Sequence, residues 1–142
     1  MCVSRTEGDA EVLADIERIT HPLELAASFK SAMSRGASSV ALVTTVDENG
    51  RPHGLATTTF LSVSMNPASA LICVNRSASA SPVIKDSGVF CVVLLQSIHE
   101  EISARFSRPD NRDQRFVQGR WRAGPAGLPY IDDAPAVFCS VA

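Results

Sequence analysis

The sequence predicts a mainly β domain with peripheral helices, arranged as a mostly antiparallel, barrel-like sheet. Three observations predict it. β-Branched and apolar runs recur at Val40–Val46, Ser69–Asn75, Val89–Leu95 and Ala136–Val141, each bounded by turn formers. The element order reads helix, hairpin, strand, helix, strand, helix, loop, strand. With 142 residues, 45% of them hydrophobic and a net charge of −2, the chain is one domain's worth and can bury a core.

The same composition excludes several classes. High apolar content with little net charge argues against disorder. No apolar run approaches the roughly 18–20 residues that cross a bilayer. Acids outnumber bases by six to two from Met1 to Glu24, and bases outnumber acids by six to four from Glu100 to Arg122. With a pI of about 5.9, neither stretch makes the basic face that nucleic acid needs. The first residues show no basic flank leading into an apolar run, so no secretory signal is expected and the protein is expected in the cytoplasm. Cys2, Cys73, Cys91 and Cys139 lack Cys-x-x-Cys spacing, which predicts buried free thiols rather than a disulfide or zinc framework.

A first helix is expected from Asp9 to Ile19, with Val12, Leu13, Ile16 and Ile19 on one face. A second starts near Pro22, carries Leu25, Phe29 and Met33 four apart, and stops at Gly36. The expected domain division is a helical extension over residues 1–24 and a β domain over 25–142. Val40–Val46 leads into Asp47-Glu48-Asn49-Gly50, a hairpin turn. The return runs from Arg51 to Ser64, and two buried strands are expected at Ser69–Asn75 and Val89–Leu95. Between them Ser81-Pro82 opens a short helix ending at Gly88. Ser97-Ile98-His99-Glu100 reads as a capping box before Ile102 and Phe106. Arg108 to Arg122 is a long polar connection, of the kind that is functional or mobile.

Two segments carry candidate chemistry. In Asn75-Arg76-Ser77-Ala78-Ser79-Ala80-Ser81-Pro82, a helix start, serine hydroxyls and a cation meet the needs of a phosphate cradle; the plainer alternative is a capping serine with solvated neighbours. In Gly54 to Ser64, small polar side chains crowd a strand without alternation, which lets a flat ligand approach the backbone; the alternative is a polar edge strand or bulge. No nucleophilic or metal constellation appears. His21, His53 and His99 read as solvated, and Glu100 and Glu101 as favouring a helix N-terminus.

On these motifs the stretch from Phe29 to Cys139 resembles the flavin reductase-like family. They are Val43-Thr44-Thr45, Gly50-Arg51-Pro52-His53-Gly54, Thr59-Phe60-Leu61-Ser62-Val63-Ser64-Met65-Asn66-Pro67, Ser87-Gly88-Val89-Phe90, Arg105-Phe106 and Arg115-Phe116. The resemblance implies an FMN-binding split β-barrel and an NAD(P)H-dependent flavin reductase supplying reduced FMN or FAD to a partner monooxygenase. It implies a homodimer with flavin at the subunit boundary. Thr57, Thr58, Thr59, Phe60 and Ser62 would meet the isoalloxazine edge, and Asn75, Arg76, Ser77 and Ser79 the phosphate. Arg105 and Phe106 would supply a cation and an apolar wall. NADH or NADPH is the implied electron donor, and no catalytic residue is assigned because hydride passes between cofactors.

The chain departs from the family pattern at Gly36, Ser39 and Ala68. Relatives also continue beyond Val141 with a Gly-Asp-His-Thr-like segment and closing strands, so a barrel without those strands and with an unpaired edge is expected. The alternative this raises is a non-catalytic flavin-binding dimeric module. A third reading is a flavin-free dimeric scaffold acting through the basic loop.

Overall fold

The computed structural model describes residues 22–108, 110 and 112–141. The expected helix at Asp9–Ile19, together with Cys2 and His21, lies outside the described residues. The chain divides into two units, Met1–Ala37 and Ser38–Ala142. In the first, α1 spans Pro22–Met33, and Leu25, Phe29 and Met33 are exposed along one face.

The second unit is built on β1 (Ala41–Val46), β2 (Pro52–Thr57), β5 (Val89–Leu94) and β8 (Val137–Val141), an antiparallel sheet in the order β2-β1-β5-β8. The β1–β2 turn forms where the sequence places it. The Asp47 carboxylate accepts from the Asn49 and Arg51 backbone N–H groups, and Gly50 takes the left-handed φ of 73° that a side chain would resist. The Arg51 amide bond, ahead of the His53 side chain, holds the Asp47 carboxyl below the ordinary carboxylate range.

Alternation along the central strands gives the sheet two covered faces. Ala41, Val43 and Val92 pack with Ala80 and Ile84 of α2 (Ala80–Ser87), and with Phe60 and Ile72 of the hairpin β3 (Phe60–Met65) and β4 (Ala68–Ile72). Leu42 and Val93 pack with Ile102 and Phe106 of α3 (Glu100–Ser107), and with Trp121 and Ile131 of β6 (Trp121–Ala123) and β7 (Pro129–Ile131). The small sheets β3–β4 and β6–β7 complete an open split barrel. Among the described residues, no helix is long and apolar enough to cross a membrane.

The Val43-Thr44-Thr45 motif is explained by packing. Both threonines are fully buried: Thr44 Oγ1 donates to the Pro129 carbonyl at 2.5 Å and Thr45 Oγ1 to the Val89 carbonyl at 2.8 Å, tying β1 to neighbouring elements. Gly88, with φ 66°, ends α2 as expected, its N–H returning to the Ile84 carbonyl.

Several expectations are corrected. Cys91 and Cys139 are not free thiols: β5–β8 register sets them directly opposite, and they form a disulfide. Cys73 is free but exposed. The strand at Ser69–Asn75 is shorter and lies in an exposed hairpin, because β3 and β4 pair only with each other and leave Leu61, Val63, Met65 and Leu71 facing outward. The long polar connection contains a 3₁₀ turn, Arg112–Gln114, and then β6.

The capping box is shifted by one residue, to Gln96 and His99. His99 is not solvated but 4% exposed: Nδ1 accepts from the Gln96 N–H at 3.2 Å, which leaves the proton on Nε2, 3.3 Å from Asp133 Oδ1. His53 is also partnered, its Nε2 lying 3.2 Å from Asp47 Oδ2. Glu100 and Glu101 do occupy the first turn of α3.

Candidate functional site: a threonine turn beside a serine cradle

The stretch from Gly54 to Ser64 lacks alternation for two structural reasons. It breaks at Thr58-Thr59, where the chain leaves the four-stranded sheet for the β3–β4 hairpin, and the β3–β4 register slips between Ser62 and Ser64 as a bulge does. At the break the Thr59 N–H donates to Thr57 Oγ1 at 3.1 Å, a side-chain-closed turn. Phe60 then opens β3 opposite Ile72, and Ser62 pairs with Ala70.

The second segment follows β4. Asn75 Oδ1 accepts from both the Ser77 N–H at 3.0 Å and Ser77 Oγ at 2.9 Å, and the Ala78 N–H returns to the Asn75 carbonyl. This rounds the chain into the start of α2. Ser79, not Ser81, is the N-cap residue, and its side chain makes no capping bond. The first turn of α2 holds no acid, and Arg76 is exposed beside it. Hydroxyls, a helix N-terminus and a cation without a competing carboxylate are the donor set a phosphate requires.

The fold brings these two segments together. Thr57 Oγ1 donates to the Cys73 carbonyl at 3.4 Å, so the threonine turn and the residues leading into the serine cradle share a bond across 16 positions of sequence. The bond places Thr57 at the approach to Asn75, Arg76, Ser77 and Ser79, while Phe60 and Ser62 lie further along β3, opposite Ile72 and Ala70.

Arg105 and Phe106 are not brought to that cluster within the chain. They belong to α3, on the other face of the sheet. Arg105 pairs with Glu101 at 3.5 Å and donates to Gln118 Oε1. Phe106, suggested as a wall for flavin, is only 2% exposed; its ring contacts Phe116 edge-on at 5.1 Å and Trp121 at 5.7 Å.

Arg115, quoted in the sequence only as part of a motif, is the residue whose structural weight composition hides. It is 7% exposed, its Nη1 donates to the Gly54 carbonyl and its Nη2 to the Arg108 carbonyl, both at 2.7 Å, and Nε is buried without a hydrogen-bond partner. Burial, and then the like charge of Arg112, push this guanidinium down from its ordinary value. It clamps the basic loop to the outer edge of β2, three residues before Thr57. In that loop Arg120 and β6 Arg122 both pair with Asp132, at 3.2 and 2.7 Å.

The chain is thus an open split barrel whose threonine turn is bonded to the approach to a serine-rich helix start. Residues 33–141 match the flavin reductase like domain, and the chain belongs to that family. It is 39% identical over 110 residues to a protein named FMN reductase (NADH) RutF from Agrobacterium fabrum, covering 78% of this chain and 63% of that protein. It is 38% identical over 113 residues to the actinorhodin polyketide dimerase of Streptomyces coelicolor, covering 79% and 63%. Among solved structures it resembles nitrilotriacetate monooxygenase component B from Mycobacterium thermoresistibile, with TM-score 0.73, 30% identity, and 80% and 62% of the two chains covered. A flavin reductase domain protein from Arthrobacter superposes with TM-score 0.69 at 31% identity, covering 80% and 69%. The chain spans less than two thirds of these two curated relatives.

Proposed function

We propose that this chain is the flavin-binding core of an NAD(P)H-dependent flavin reductase that hands reduced FMN or FAD to a partner monooxygenase in the cytoplasm. The observation that supports this is the Thr57–Cys73 bond, which ties the threonine turn to the residues leading into the serine segment. The donor set fits flavin: the cradle has serine donors, a helix N-terminus and Arg76, with no acid in the first turn of α2. FMN or FAD, when bound, supplies the hydride-accepting chemistry, and NADH or NADPH the electrons.

The chain's own residues bind and orient. Ser77, Ser79 and Arg76 hold the phosphate, and Asn75 keeps Ser77 in place. Thr57, Thr58, Thr59 and Ser62 offer short side chains that allow close approach to backbone N–H and C=O groups. Phe60 supplies an apolar wall. Orientation of two reactants by such contacts is itself a large part of the rate.

A homodimer is part of the reading. Leu61, Val63, Met65 and Leu71 leave an apolar surface on the β3–β4 hairpin, next to the site, that a second copy would cover.

The test is FMN titration followed by anaerobic addition of NADH and NADPH in turn. Quenching of flavin fluorescence with bleaching of the bound flavin is expected. Binding without bleaching removes the reductase and leaves a flavin carrier; no binding removes both.

A further inference from the structure

We infer that Cys91 and Cys139 are a reversible thiol–disulfide pair, and that its state sets how firmly the wall of the proposed flavin site is held; the second part rests on the flavin-binding reading above.

The pair is made by the sheet. Cys91 lies on β5, an interior strand, and is fully buried, while Cys139 lies opposite it on β8, at the edge of the described sheet, and is exposed. Thiol–disulfide exchange requires a thiolate to reach one sulfur of the bridge, and the Cys139 side provides that access. In a cytoplasmic protein a disulfide is characteristically a transient or redox-sensing bond rather than a permanent staple.

The bridge also acts on the site. The residue before Cys139 is Phe138, opposite Val92 in the ladder, and its ring lies 5.3 Å from that of Phe60. Phe60 begins β3, directly after the Thr57–Thr59 turn. With the bridge closed, β8 is held covalently to the sheet interior and Phe138 stays against Phe60. With it open, β8 keeps its ladder to β5 and the packing of Val137 and Phe138 but loses its covalent tie to the sheet interior, so Phe138 is held less firmly against Phe60.

The chemistry balances in both directions. Two equivalents of a small thiol reduce the bridge, giving two cysteine thiols and one small-molecule disulfide. One hydrogen peroxide closes it, taking two electrons and two protons from the thiols and leaving two waters. Peroxide is what reduced flavin and dioxygen yield when no partner takes the flavin, so closure would report unused product.

Two measurements on the purified chain test this. Intact mass after maleimide labelling in denaturant, with and without prior dithiothreitol, is expected to show two further labelled cysteines after reduction. The FMN Kd by fluorescence quenching is expected to rise about fivefold on reduction. Peroxide should restore it in wild type; Cys139→Ser, at an exposed position, should show the weaker value in either condition. Equal labelling with and without reductant overturns the pair. An FMN Kd indifferent to reductant overturns the coupling. A chain that binds no FMN but gains two labels refutes the coupling and the flavin reading while the reversible bond stands.

Discussion

Replacing Gly54 by Ala tests the packing beneath the site. A Cβ there would sit 2.8 Å from Phe106 Cε1, 2.9 Å from the Val43 carbonyl oxygen and 3.4 Å from Phe116 Cζ. Neither of the two closest groups yields easily: Phe106 is wedged between Phe116 and Trp121, and Val43 O belongs to β1, the partner strand of β2. Overpacking of this kind costs about 1–3 kcal/mol. If β2 retreats to relieve it, the Arg115 bond to the Gly54 carbonyl lengthens as well, at a further cost of about 1–2 kcal/mol. A total of about 2–5 kcal/mol lowers Tm by roughly 10–20 °C in a unit of this size. Thermal unfolding followed by circular dichroism measures it, and a Tm within about 2 °C of wild type would refute the reasoning. A double-mutant cycle with Phe106→Leu separates the two contacts. Part of the loss returns if the ring is the obstacle, whereas strict additivity would show that Phe106 is not the obstacle.

Arg115→Met should cost about 2–4 kcal/mol in urea unfolding, because the Gly54 and Arg108 carbonyls lose a charged donor; Arg115→Lys should recover only part, since an ammonium cannot match the fork. Asp47→Ala should lower Tm at pH 7. The carboxyl is depressed in the folded chain, so its contribution is complete above the unfolded value and disappears as pH falls through the folded one; the gap between variant and wild type should therefore close on acidification, and a gap constant with pH would contradict the turn's role. Ser77→Ala with Ser79→Ala should weaken FMN binding by roughly 5–30-fold, equivalent to about 1–2 kcal/mol, with little change in Tm; unchanged affinity would place the phosphate elsewhere.

Legibility in the sequence followed the range of the interactions. The β1–β2 hairpin, α2 and α3 were readable because Asp47–Gly50, Gly88 and the spacing of Ile102 and Phe106 are local signals. The break at Thr58-Thr59 was hidden because no Gly or Pro marks it. β6 and β7, three residues each, are too short for periodicity to register. Cys91 and Cys139 lie 48 residues apart, and their meeting depends on the register of β8 against β5, which spacing cannot supply. His99 finds its partner in Asp133, 34 residues on, and Arg115 reads in sequence as one more cation of a solvated loop. Both segments of the candidate site were visible by composition; the Thr57–Cys73 bond that joins them was not.

The two faces of the sheet divide the work. The α2 face carries the threonine turn and the serine cradle, while the α3 face holds the aromatic cluster and Arg115, which reaches round to the edge carbonyl of Gly54. The proposed ring-binding turn is made chiefly of backbone conformation and demands little particular side-chain chemistry. It does demand that β2 end at a fixed place, and Gly54, Arg115 and the buried hydroxyls of Thr44 and Thr45 fix it. Relatives on the same scaffold carry names as different as FMN reductase and polyketide dimerase, so the fold by itself does not set the reaction.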